Sequence, residues 1–91
     1  MTNHFEHEEQ HVNASDIQTH IEELVAEEHE LLGRAESQPL DDAARARLAD
    51  VNVQLDRYYD LLRQRRARAE FEQDPESAQL RSADTVERYL Q

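Results

Sequence analysis

Three groups of side chains in this sequence have the types and spacing that could do chemistry. His4, His7, Glu8 and His11 fall three and four residues apart. On a helix they would share one face, and imidazoles one turn apart chelate Zn²⁺ or Ni²⁺. A solvated polar tail accounts for the same residues, because nothing rigid positions them. Glu27-Glu28-His29-Glu30 has the composition of a di-iron helix. Such sites take Glu and Glu-x-x-His from facing helices. Here the residue three before His29 is Ala26, and the stretch facing it carries no His. The expectation is no metal and no cofactor. Glu28 then reads as a polar residue on a packing seam, satisfied by Arg47 or by an arginine of another subunit.

The third group is basic. Arg57, Arg63, Arg65, Arg66 and Arg68 place five of the ten basic residues within positions 57–68, and every basic residue is Arg. This is the pattern of a nucleic-acid-binding helix face. Against it stand a net charge of -11, which repels a phosphate backbone, and the lack of aromatic residues interleaved for base stacking. An acidic tail (Glu6, Glu8, Glu9) and Glu22-Glu23 are expected beside the arginines, which makes neutralisation within the protein the expected role. Tyr58-Tyr59 reads as a packing pair with hydroxyls at the rim.

No Gly-rich phosphate loop, nucleophile elbow or Ser-His-Asp set is visible, and there is no Cys for a thiolate nucleophile, a disulfide or a zinc site. No catalytic residues are expected, and the chain is not read as an enzyme. The longest apolar run is Leu24-Val25-Ala26, too short for a membrane span or a secretory leader. A cytoplasmic protein with no membrane partner is the expectation.

The elements that must carry these residues are helices. Of 91 residues one is Gly and two are Pro, so turns are scarce and the strong helix formers dominate. Residues 1–14 are polar, His- and Glu-rich, and read as a mobile tail ahead of a single domain over 15–91. Ser15-Asp16-Ile17-Gln18 fits a capping box. Beyond it Ile17, Ile21, Leu24, Leu31 and Ala35 recur at alternating steps of four and three, a helical period running to about residue 36. Gly33 and Pro39 mark its stop. Asp41 or Asp42 caps a second helix to about residue 73, on the series Ala44, Leu48, Val51, Leu55, Tyr58, Leu62. Asp74-Pro75 breaks it. A short C-terminal helical segment follows, with Ser82 as a cap and Val86, Tyr89 and Leu90 as its apolar side. The fold class is all-α: a long antiparallel hairpin, about 15–36 and 41–73, plus that segment. Turning near residue 39, it pairs Ile21 with Tyr58, Glu22 with Arg57 and His20 with Tyr59. The C-terminal stripe is expected to dock near Leu62, Ala69 and Phe71.

The phrases LVAEEHELL (24–32) and LDRYYDLLRQRRARAEFEQDPESAQLRSADTVERYLQ (55–91) resemble an uncharacterised family of short acidic actinobacterial helical-hairpin proteins, a domain of unknown function. The most specific part is DLLRQRRA followed by the DP turn and VERYL. Tyr58-Tyr59 stands where the family pattern has an aromatic or a small residue. The resemblance implies the helical fold and carries no activity, cofactor or site residue.

A hairpin seam needs two apolar positions per heptad, and a bundle helix presents about three. Val25 and Leu32 lie beside the first seam, Tyr59 and Leu61 beside the second. These four are the expected self-association face of a homodimeric four-helix bundle. The functional expectation is a non-catalytic module for protein–protein interaction or regulation through self-association. The alternative is a nucleic-acid or ribosome-associated factor using the Arg63–Arg68 face.

Overall fold

The structure is a computed structural model that describes residues 13–89, with the backbone alone at Tyr89. The tail histidines His4, His7 and His11 and the apolar Leu90 lie outside the described residues. Among the described residues there is no strand. Helix α1 spans Ala14–Ser37, α2 spans Asp42–Glu70, a 3₁₀ turn covers Pro75–Ser77, and α3 spans Ala83–Tyr89. At about 1.5 Å per residue α1 and α2 are roughly 36 and 44 Å long. They pack against each other as the hairpin, so the all-α expectation holds.

The ends follow from local chemistry. The cap of α1 is Asn13, whose Oδ1 accepts the Asp16 N–H at 2.9 Å. Ser15, the expected cap, lies inside the helix; an Asn two residues earlier captures the same kind of orphan donor. At the other end α1 runs through Gly33 to Ser37. One glycine costs a helix only about 1 kcal/mol, so it does not by itself stop one. Asp41 caps α2 by accepting the Ala44 N–H at 2.8 Å.

Helix α2 ends at Glu70, three residues before the expected limit, in a Schellman arrangement. Gln73 N–H reaches the Arg68 carbonyl at 2.7 Å, and Glu72 N–H reaches that of Ala69 at 3.2 Å. That geometry needs a left-handed residue, which is Glu72 at φ 58°. Asp74 then accepts the Glu76 N–H at 2.9 Å, and Pro75 sits where no N–H is needed. Ser82 caps α3 through the Thr85 N–H at 3.1 Å.

From the 3₁₀ turn onward the chain doubles back as a strap along α2. Arg65 binds Glu76 at 3.0 Å. Gln64 donates to the Gln79 carbonyl at 2.9 Å, and Arg57 donates to the Arg81 carbonyl at 2.8 Å. Falling α2 numbers against rising strap numbers make the run antiparallel. Ala78 and Leu80 of the strap close a core cluster with Ile17, Tyr58 and Leu61, and Ile21 and Leu24 pack against it. Val51 and Val86 are likewise fully buried.

This packing corrects three expectations. Leu61 has no exposed surface, whereas Leu62 is 36% exposed. Leu61 therefore belongs to the core and not to a self-association face, and Leu62 takes the flank in its place. An ideal helix drifts from a strict seven-residue repeat by about 20° per heptad, and the strap adds a second partner on the Leu61 side of α2. The strap docks over Leu61 and Tyr58, not over Leu62, Ala69 and Phe71. Phe71 stays 74% exposed. The register also slips slightly: His20 stacks on Tyr58 with ring centroids 5.3 Å apart, not on Tyr59, and Arg47 grips Glu27 in place of Glu28.

Candidate functional site

The strap lies on one side of α2 and leaves the opposite flank of the hairpin open. Nearer the turn, the other side of the hairpin carries a polar pair. Arg47 forks onto Glu27, with Nη2 to Oε1 at 2.6 Å, and its Nη1 also reaches Asp50 at 2.9 Å. The hydrogen bond from Arg47 holds the Glu27 carboxyl below its ordinary range, and the reciprocal bond raises Arg47. Burial pushes the Tyr58 phenol up, opposed by the nearby Arg57 charge.

The open flank is apolar. Positions 21, 25 and 32 of α1 recur on one face, and positions 59 and 62 of α2 meet it from the other helix. Between the helices an apolar groove of about 360 Å³ is lined by Ile17, Gln18, Ile21, Tyr59, Leu62 and Arg65, among others. Leu32 is 46% exposed and Tyr59 41%, while Ile21 and Val25 are half-buried. Three of the four residues expected on the self-association face therefore lie where a partner could touch them: Val25, Leu32 and Tyr59. The fourth, Leu61, does not.

The arginines do not form one continuous face. Arg65 is turned inward, its side chain 15% exposed against Glu76. Arg57 is half-buried and held by the Arg81 carbonyl and by Gln54 Oε1 at 2.9 Å. Arg63 approaches Asp60 at 3.9 Å. Arg66 is exposed and Arg68 half-buried. Among the described residues the neutralising acids are Glu76 and Asp60; the expected Glu6, Glu8 and Glu9 lie outside them, and Glu22 instead accepts from Gln18 at 3.0 Å on its own helix.

Asp60 is the residue sequence reasoning missed. At 3% exposure it is the buried charged side chain of the described residues. It accepts from Gln64 Nε2 at 3.0 Å and faces Arg81 Nη1 at 3.6 Å. Nothing in the period of α2 marks it, because its burial depends on a strap reached twenty residues later. Among the described residues no group of three or more His, Asp or Glu is placed to hold a metal ion. Glu27, from the acidic run weighed for iron, is committed to Arg47. No helix among the described residues is long and apolar enough to cross a membrane.

Residues 13–91 match the family described as "Protein of unknown function (DUF2630)". The chain is similar to an uncharacterized protein of Mycobacterium tuberculosis, 38% identical over 76 residues that cover 82% of this chain and 87% of the relative. An uncharacterized protein of Mycobacterium bovis is similar to the same extent, 38% over 76 residues with the same coverage. No solved structure matches the chain. The matched span takes in the hairpin and the strap together, and on that match the chain belongs to this family of proteins of unknown function.

Proposed function

We propose that this protein is a non-catalytic helical module that acts through self-association, with the open flank of the hairpin as its contact surface. The observation that carries the reading is the apolar row Ile21, Val25, Leu32, Tyr59 and Leu62, left uncovered by the strap. Glu28 interrupts the row between Val25 and Leu32, and apolar side chains grouped on one flank of a small protein still mark a contact site. The occupant we favour is a second copy in a two-fold, antiparallel arrangement, the commonest closed symmetry.

Charge supports that choice. Glu36 lies four residues beyond Leu32 toward the turn, and Arg66 lies four residues beyond Leu62 toward the open end. A two-fold pairing that sets Leu32 against Leu62 of the other copy also sets Glu36 against Arg66. Such a pair fixes register more than affinity. The cytoplasmic placement expected from the shortness of the apolar runs belongs to the same proposal.

Sedimentation equilibrium of the full chain tests it. The unmodified protein should weigh as a dimer at tens of micromolar. Val25→Glu with Leu32→Glu should lower the mass to that of the monomer, because a buried unpaired carboxylate at each site is costly. A helical monomer for the unmodified chain sinks the reading. Filter binding to RNA on the same sample examines the rival role: tight binding that weakens steeply with salt would promote it.

A further inference from the structure

On the side of α2 away from the apolar flank, the strap and the helix border a second, open cleft of about 470 Å³. Its walls include Arg57, Gln64, Arg68, Arg81, Ser82 and Thr85, and among the described residues no carboxylate lines it. Three arginines line it in a protein whose net charge is -11. We propose that this cleft is a binding site for a small phosphorylated anion, a phosphomonoester or diphosphate with an organic body.

The charge balance of the cleft is the first argument. Asp60, buried behind the wall, lies 3.6 Å from Arg81 and 3.9 Å from Arg63. It offsets charge at that edge. Arg57 has neutral hydrogen-bond partners, the Arg81 carbonyl and Gln54 Oε1. Arg68 makes no side-chain hydrogen bond or ion pair among the described residues. Two positive charges thus face the cleft without a carboxylate of their own, and guanidinium groups match the oxygens of phosphate in bidentate fashion.

Preorganisation is the second. The two acceptors on Arg57 fix its fork before any ligand arrives, which lowers the ordering cost of binding. Ser82 Oγ accepts the Thr85 N–H at 3.1 Å and donates to Thr85 Oγ1 at 2.9 Å. That leaves the Thr85 hydroxyl proton for a ligand oxygen.

Size is the third. The volume falls within the roughly 300–1,000 Å³ of small-molecule sites, more than a bare phosphate fills, so an organic body fits beside the anion. A nucleic-acid strand offers the same phosphate chemistry. It would also have to run on past the cleft over a surface that is acidic on balance, which disfavours an extended polyanion.

The test is an NMR titration of the full-length, ¹⁵N-labelled protein with sodium pyrophosphate, then with adenosine diphosphate. Saturable shifts are expected at the Arg57, Arg68 and Arg81 Nε–H signals and at the Thr85 amide, at sub-millimolar ligand. Arg68→Gln, which removes no side-chain hydrogen bond or ion pair among the described residues, should weaken binding about tenfold, as expected for one charge-assisted hydrogen bond. Arg66→Gln, on the exposed side, should leave it unchanged. The idea is overturned by no saturable shift at millimolar pyrophosphate, or by equal losses for the two variants. A short RNA that binds more tightly than adenosine diphosphate, and is weakened alike by both variants, would overturn it in favour of a nucleic-acid backbone.

Discussion

Arg47 and Glu27 stand twenty residues apart in sequence and meet across the hairpin as a two-armed guanidinium–carboxylate fork. Glu27 comes from the middle of α1 and Arg47 from the first half of α2, so the pair fixes how far one helix has slid along the other. Apolar side chains tolerate small slips in a way that this fork does not.

The pair also sets a pH dependence. Glu27 titrates below its ordinary range because Arg47 binds the ionised form. A carboxyl depressed in the folded state contributes stability that is present above its unfolded pKa and lost as pH falls through the folded value. Thermal melts should therefore show an acid-side loss that Glu27→Gln removes. Its exposure keeps the effect small at neutral pH and smaller in high salt. The double swap Glu27→Arg with Arg47→Glu should recover part of what either single swap loses, since Asp50 loses its own contact with Arg47.

Glu87 behaves with the opposite sign. It sits on α3 against Asp56 of α2, with Oε2 buried and without a protein donor. Two carboxyls in contact hold together by sharing a proton, so the hydrogen bond to Asp56, then burial, raise the Glu87 carboxyl above its usual range. A raised pKa contributes stability below the unfolded value, lost as pH rises through the folded one. Amide exchange in 83–89, corrected for intrinsic rates, should slow between neutral and mildly acidic pH. Asp56→Asn should give the slow exchange already at neutral pH; unchanged exchange in that variant would show that the pair does not govern α3.

Leu61 and Leu62 are chain neighbours with different surroundings, and truncation should separate them. Leu61→Ala opens a cavity in the cluster with Ile17, Ala78 and Leu80 and should cost about 2–5 kcal/mol by denaturant unfolding. Leu62→Ala removes a side chain that is 36% exposed and should cost the monomer fold less than about 1 kcal/mol. Equal costs would mean that α2 is rotated from the orientation described above.

Two backbone positions offer a paired test. Gly33 lies inside α1 without a positive φ, and a methyl group there meets nothing within 4 Å. Gly33→Ala should stabilise by about 0.5–1 kcal/mol. Glu72 holds the left-handed position of the Schellman turn at φ 58°, which costs a non-glycine residue roughly 1 kcal/mol. Glu72→Gly should raise the melting temperature and Glu72→Val lower it. Removing a glycine at one position and adding one at the other should both stabilise, because α1 is right-handed at 33 and the turn is left-handed at 72.

The sequence by itself determined the helices and the order in which they fold back. The apolar steps of α1 and α2, the scarcity of Gly and Pro, and caps of the Asp41 and Ser82 kind are local facts. Local facts suffice for helices, whose hydrogen bonds close within four residues. The same period showed Val25, Leu32 and Tyr59 beside the seam. Tertiary structure alone decided what touches α2 on its other side. Leu61 is core, Asp60 is a buried charge and Arg65 is turned inward because residues 76–86 lie across them, and no periodicity within α2 encodes a strap arriving from later in the chain. A seam read at a seven-residue period places a residue to within one helical step. The difference between Leu61 and Leu62, between Tyr58 and Tyr59, or between Glu27 and Glu28 is one such step of about 100°. Packing against two partners at once resolves that step, and with it which side chains are left to form a flank or line a cleft.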